Sequence, residues 1–251
     1  MHSRRIKLVI EYDGSGFHGW QVQENAHSVQ EELEKAIAAI TGESARITGA
    51  GRTDTGVHAY GQVAHFDTRS KVPAEKFSAA LNSVLPPEVS ILASQEVPED
   101  FHARFTAVGK TYEYRILNRA TRSPILAKRA WHIREALDLD AMGLAAEKFI
   151  GEHNFSAFCS SGHSVLTFNR TLTASQWIRQ DDCLVYRVSG NGFLYNMVRI
   201  MTGTMVEVGL KKRSADSIEA LIQEKDRNKA GITAPPHGLY LLKVHYPPEN
   251  C

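Results

Sequence analysis

No stretch of this sequence approaches the roughly 18 consecutive apolar residues of a membrane-spanning helix. The N-terminus carries basic residues but too short an apolar run for a signal peptide. Cysteine is scarce: Cys159, Cys183 and Cys251 are the three, and no two form a Cys-x-x-Cys pair. That argues against a structural zinc site and for a reducing compartment, so a cytoplasmic location is expected. Charge of one sign is also missing. With 29 Lys and Arg against 28 Asp and Glu the net charge is +1, so any nucleic-acid surface must come from local clustering. His18, His58, His65 and His102 are scattered. Neither a His-x-x-x-His nor a His-Glu-x-x-His spacing occurs, which argues against a metal centre. A Gly-x-Ser-x-Gly elbow is absent, which removes the commonest serine hydrolase arrangement. Short repeats and low-complexity tracts are absent too.

What is present is a soluble-protein pattern of mixed strands and helices. A chain of 251 residues is one large domain or two ordinary ones. Residues 5–12 predict a strand that ends at the Asp13-Gly14 turn. Ser28 and Glu31 form a capping box, and Val29, Leu33, Ile37 and Ile40 then recur on one helix face until Gly42 stops it. Residues 46–66 are β-like but broken by glycines; 73–84 predict a helix and 89–96 a strand. Strand, helix, strand pair, helix, strand is a split βαβ, ferredoxin-like order.

The rest of the chain predicts a second such half. Strands are expected at 111–117, 130–133, 171–178, 184–189 and 238–246, and helices at 140–150, 195–208 and from Ser214. The expected fold is therefore α+β: two ferredoxin-like halves with antiparallel sheets and an active-site cleft between them. The halves are 1–105, with the candidate catalytic motif, and 106–251, which completes the cleft.

The segment from Gly49 to Ala59, with Arg52-Thr53-Asp54 at its centre, carries the chemistry. It matches neither familiar phosphate loop. A dinucleotide fingerprint needs glycine where Asp54 stands, and a P-loop needs Lys then Ser or Thr where Val57 and His58 stand. An Asp in the middle would also repel a phosphate. The glycines can instead expose Asp54 in a cleft. If the segment is extended, Arg52 and Asp54 share a side, and the guanidinium would keep the carboxylate ionised and aimed. An oriented carboxylate is a nucleophile or general base. The plainer alternative is a Gly-rich turn with a structural Asp–Arg pair.

The Gly49–Ala59 segment resembles the signature of the pseudouridine synthase I family, and other segments resemble that family in order. They are Tyr12-Asp13-Gly14 through Gln21, Arg104-Phe105 through Tyr114, Gly192-Phe193 through Arg199 with Gly203-Thr204, and Arg227 through Pro235 with Gly238 to Leu241. The resemblance implies an enzyme that isomerises uridine to pseudouridine in tRNA. It implies Asp54 as the catalytic carboxylate, Arg52 as support for the carboxylate or a phosphate, and Arg199 as the basic residue paired with the catalytic Asp. Tyr112 would stack on the base and Leu241 pack on the uracil. It further implies action on the anticodon stem-loop at positions 38 to 40, a homodimer, and no cofactor, since the isomerisation exchanges no electrons.

Substrate contacts have a compositional candidate as well. From Arg104 to Arg134 there are eight basic residues against Glu113 alone, with Lys110, Arg119 and Arg122 among them, and Lys211-Lys212-Arg213 adds a second cluster. Such runs are often just solvated surface, but the imbalance in a near-neutral chain favours phosphate contacts. A rival function is a non-catalytic RNA-binding protein of two ferredoxin-like units. It lacks an RNP-type aromatic motif to support it. A nucleotide-binding phosphotransferase is the other rival, weakened by the failed loop motifs.

Overall fold

The computed structural model describes residues 3–162 and 166–248 of the chain; Cys251 lies outside them. In chain order the elements are β1 (Arg4–Tyr12), α1 (Val29–Thr41), β2 (Thr48–Gly49), β3 (His58–Thr68), α2 (Phe77–Asn82), β4 (Val89–Val97), β5 (Gly109–Asn118), β6 (Trp131–Ile133), α3 (Leu139–Glu147), β7 (Gly151–Asn154), β8 (Asn169–Gln180), β9 (Cys183–Gly190), α4 (Met197–Gly209), α5 (Ser217–Glu224) and β10 (Leu239–His245). The protein is a mixed α+β structure with mostly antiparallel pairing. Contacts divide it into two compact units, Met1–Val108 with Tyr240–Cys251, and Gly109–Leu239.

In the first unit β1 is central. It pairs antiparallel with β4 on one side and β3 on the other. Ile6, Leu8 and Ile10 are fully buried, as the two-residue period requires of the core face. On the other face Val9 and Glu11 keep some exposure, and Lys7 is covered, its Nζ over the rings of Phe101 and Tyr246. Helix α1 starts where Ser28 accepts the Glu31 amide (3.3 Å) and ends at Gly42 in the left-handed region. The Glu31 carboxylate pairs with Lys35 at 2.8 Å. Burying Leu33 and Ile37 completely contributes roughly 1.5–3 kcal/mol each. A Ser28→Ala change would cost about 1 kcal/mol through the lost cap.

The edge of β3 is shared. β2, only two residues long, takes the end at Ala64 and His65, and β10 runs parallel to the other end at His58 and Ala59. The last strand thus belongs to the first unit, whereas the sequence placed it with 106–251. Its alternating pattern specifies a strand with two faces but not which edge it will find.

In the second unit β9 lies between β5 and β8, and β7 extends β8; β6 pairs parallel with β5. Tyr114 and Tyr186 face the same buried side across the β5–β9 pair. Helix α4 is buried along nearly its whole length, and α3 packs on it. β7 carries no expectation from the sequence, because Glu152, His153 and Asn154 show neither apolar alternation nor β-branching.

Candidate active site

Residues 50–57 join β2 to β3 without regular structure, yet backbone hydrogen bonds hold the loop at several points. Ala50 donates its amide to Val63 O (2.7 Å) and Gln62 Nε2 donates to Gly51 O (2.8 Å). Trp20 donates to Thr53 O (3.0 Å), Val57 to Asp54 O (3.1 Å) and Gly56 to Phe17 O (3.4 Å). Below the loop, the hydroxyl of buried Tyr12 meets Thr53 Oγ1 at 2.7 Å. A register shift in β1 between Ile10 and Tyr12 sets the position of that ring. Burial raises the Tyr12 phenol well above its usual range, so it remains protonated as a hydrogen-bonding strut.

The N-terminal motif is the other half of this assembly. His58 Nδ1 lies 3.1 Å from the Gly14 amide and 3.1 Å from Asp13 Oδ1, which ties the ring to the N-terminal motif at two points. His58 in turn stacks on Tyr240 with centroids 4.6 Å apart. Gly19, at φ +92, brings its backbone so close to the loop that an added Cβ would sit 2.6 Å from Thr53 O. Two sequence motifs thirty residues apart are thus one packed object with Asp54 on it.

Asp54 is half-buried. Arg52 is exposed and forms neither a hydrogen bond nor an ion pair among the described residues, so the expected Arg52–Asp54 pair is corrected. The loop turns directly after Asp54, at Thr55-Gly56, with Gly56 at φ +79. Leu241 lies beside Ala59 in the parallel β3–β10 register and is 0 % exposed. A side chain with no open surface cannot pack on a uracil as it stands. Its observed contribution is to anchor β10 against the strand that follows the Asp54 loop.

The second unit holds the remaining candidates. Tyr112, on β5, is 9 % exposed and meets Phe193 edge-on at 4.9 Å. Arg199 sits in the first turn of α4. Its Nε donates to Ala234 O (2.7 Å) and its Nη1 to Asn196 Oδ1 (2.7 Å), while its carbonyl accepts the Ala234 amide (3.1 Å). The segment that continues from Ala234 is held by Tyr114, whose hydroxyl donates to Pro235 O (2.6 Å). Burial raises the Tyr114 phenol, and the nearby Arg199 charge opposes this. Gly231 donates to Thr204 Oγ1 (3.0 Å) on α4. Within the second unit, Tyr112 and Tyr114 thus meet the segments 192–204 and 227–238 around the start of α4.

The basic clusters are less free than their linear count suggests. Glu113 is 2 % exposed and accepts from Arg115 Nε and Arg187 Nε, each at 2.8 Å. Arg119 pairs with Asp182 (2.9 Å) and donates to Thr121 O. Arg213 is held by Glu207 and by Lys229 O. Arg122 is exposed and makes no such bond among the described residues, and Lys110 is half-buried on β5.

Sequence reasoning passed over Tyr12, Gln62 and Asn196 as individual contributors. Tyr12 and Asn196 stood inside quoted motifs, so a signal existed. Gln62 had none, since a lone strand Gln looks solvent-facing until its full burial beneath Gly51 is seen.

The model of a family described as tRNA pseudouridine synthase matches residues 8–106 and 145–247. Asp54, Arg52, Arg199 and Leu241 fall inside the matched segments, and Tyr112 falls between them. Among curated proteins the chain is 50% identical over 243 residues to the tRNA pseudouridine synthase A of Acetivibrio thermocellus, covering 97% of this chain and 100% of that protein. It is 49% identical over 244 residues to the protein of the same name from Ruminiclostridium cellulolyticum, with the same coverage. With the tRNA pseudouridine synthase A 2 of Clostridium tetani the identity is 46% over 246 residues, 97% of this chain and 99% of that one.

Proposed function

This chain belongs to the tRNA pseudouridine synthase family and converts uridine to pseudouridine in tRNA, and on that premise we propose that Asp54 is the carboxylate that carries the reaction. The observation behind the proposal is the clamped loop: six hydrogen bonds fix residues 50–57, and they leave a half-buried carboxylate at its centre. Isomerisation breaks the glycosidic C–N bond, turns the uracil and forms a C–C bond. An ionised Asp54 serves this by attacking the sugar, attacking the base or removing a sugar proton. The test is tritium release from C5-labelled uridine in tRNA, because only isomerisation at C5 frees it. Tight tRNA binding without release would instead favour the non-catalytic RNA-binding reading.

The target base must leave its stack to be reached, which costs a few kcal/mol. We propose that Tyr112 stacks on it and that Arg199 supplies the positive charge that holds the reacting carboxylate or its partner. Exposed Arg52 is better suited to a backbone phosphate than to Asp54. Tyr112→Phe keeps the ring and removes the hydroxyl. If the hydroxyl moves a proton, turnover falls by roughly 10²-fold with tRNA binding retained. If Tyr112 only stacks, Phe is nearly normal and Leu is impaired. Full activity of Tyr112→Leu would remove the residue from the site.

Phosphate contacts by Lys110, Arg119 and Arg122 are proposed to offset the flipping cost. Each lost phosphate contact lowers the log–log salt slope of tRNA binding by about one. Arg122→Ala is expected to show this fully. Arg119→Ala should show it in part, because Arg119 is shared with Asp182. Equal slopes for wild type and both variants would place these side chains away from the RNA.

The finer reading follows the family resemblance: two ferredoxin-like halves, the first with the catalytic loop and the second with Tyr112 and Arg199, working as a homodimer on anticodon stem-loop positions 38 to 40. Among the described residues no helix is long and apolar enough to cross a membrane, and we propose a cytoplasmic enzyme. Mapping pseudouridine along a treated tRNA tests the positions, and sedimentation tests the dimer.

A further inference from the structure

We infer that Asn196 is a positioning residue: through Arg199 it sets the geometry of the isomerisation. Asn196 stands at the N-cap of α4, where an Asn side chain ordinarily accepts an amide of the first helical turn. Here it makes no such bond. Its Oδ1 accepts instead from the Arg199 guanidinium (Nη1, 2.7 Å), and its Nδ2 donates to Ser160 Oγ (3.0 Å). The backbone pays for this orientation as well, since Asn196 lies in the left-handed region at φ +61. Asn tolerates that conformation better than other non-glycine residues.

Helix stability explains neither feature. The cap is given up and the φ is unfavourable, and what both achieve is a fixed amide oxygen facing Arg199. The guanidinium is planar and presents its donors as a rigid fork. Ala234 O holds Nε and Asn196 Oδ1 holds Nη1, so two separate acceptors define the plane of the fork. The guanidinium only donates, so it must face the amide oxygen, and the amide NH2 is left to donate to Ser160 Oγ. Ser160, Asn196 and Arg199 therefore form a chain of hydrogen bonds in which Ser160 and Asn196 act through Arg199.

The inference rests on the reading that Arg199 serves the reaction. The experiment separates the two. Single-turnover tritium release, tRNA Kd and melting temperature are measured for Asn196→Gly, Asn196→Asp, Ser160→Ala, Arg199→Lys and the Asn196→Gly/Arg199→Lys double variant. Glycine keeps the left-handed backbone and deletes both bonds. Misplacement by about 1 Å can cost 10²-fold in rate, so Asn196→Gly is expected to lose roughly 10- to 100-fold in turnover with Kd little changed. Asn196→Asp retains an acceptor and should recover much of that loss. Ser160→Ala should show a smaller loss of the same kind without disturbing the φ. The double variant should be no slower than Arg199→Lys alone, because Asn196 acts through Arg199. Wild-type turnover in Asn196→Gly, or losses that multiply in the double variant, would overturn the inference while leaving the role of Arg199 standing. Wild-type turnover in Arg199→Lys would overturn the reading beneath it.

Discussion

Replacing Asp54 with Asn is expected to abolish isomerisation in a protein that still folds and still binds tRNA. The amide is nearly the size of the carboxylate, and the bonds that fix the loop run mainly through its backbone and through Thr53, so packing is spared. An amide at pH 7 is neither a nucleophile nor a base, and every route open to Asp54 needs one or the other. Loss of an essential nucleophile can reach the order of 10⁶-fold in turnover. Affinity should largely survive, because phosphate contacts supply much of it. Asp54→Glu should also be very poor. Its added methylene moves the carboxylate by about 1 Å, and a clamped loop cannot give way to compensate; such a shift can cost about 10²-fold. Tritium release and tRNA binding measured on one preparation decide the matter. A folded Asp54→Asn enzyme with wild-type turnover would leave Asp54 as a structural turn residue only.

A second large effect is expected far from the chemistry in sequence. Gly19→Ala should destabilise the protein and cripple whatever folded enzyme remains. Gly19 is at φ +92, and its added Cβ would lie 2.6 Å from Thr53 O and 3.3 Å from Asp54 C. The conformational penalty is roughly 1–2 kcal/mol, and the forced contact adds typically 1–3 kcal/mol. The two together amount to a large part of a typical stability of about 5–15 kcal/mol. The atoms it would meet are backbone atoms of Thr53, Asp54 and Thr55, so relief at their expense carries the Asp54 carboxylate with it. Gly16→Ala is the control: it lies in the same motif, at no positive φ, and its Cβ would meet nothing within 4 Å. The expected result is a clear drop in melting temperature and turnover for Gly19→Ala and little change for Gly16→Ala. Equal behaviour of the two would mean that the N-terminal motif does not support the Asp54 loop.

Read locally, the chain declares a good deal of itself. The α1 boundaries follow from Ser28 and Gly42, because capping is decided within four residues. The core strands β1, β5 and β9 follow from alternation, since a two-residue period is visible wherever one face is buried. The Gly49–Ala59 segment stands out because glycine and a charged centre are rare together in a strand. Weak elements were illegible for the same reason: β2 has two residues and β7 four, too few to show a period. Helix α2 is only six residues behind a short 3₁₀ turn, where an unbroken helix over 73–84 was expected.

Motif order, through its resemblance to a known family, gave the kind of enzyme from sequence alone and pointed to Asp54 as the carboxylate proposed here, because each motif depends on residues a few positions apart. Tertiary structure alone decided which distant groups meet. It put Gly14 and Gly19 under the Asp54 loop, turned Arg52 to solvent, consumed Arg115 and Arg119 in pairs with Glu113 and Asp182, and buried Leu241 in a strand of the first unit. The physical reason is the same in each case. A side chain's identity states what it can bond to, but its partner is chosen by where the chain returns in space. For β10 against β3, or Asn196 against Arg199 and Ser160, that return is settled by the packing of whole elements and not by any local pattern.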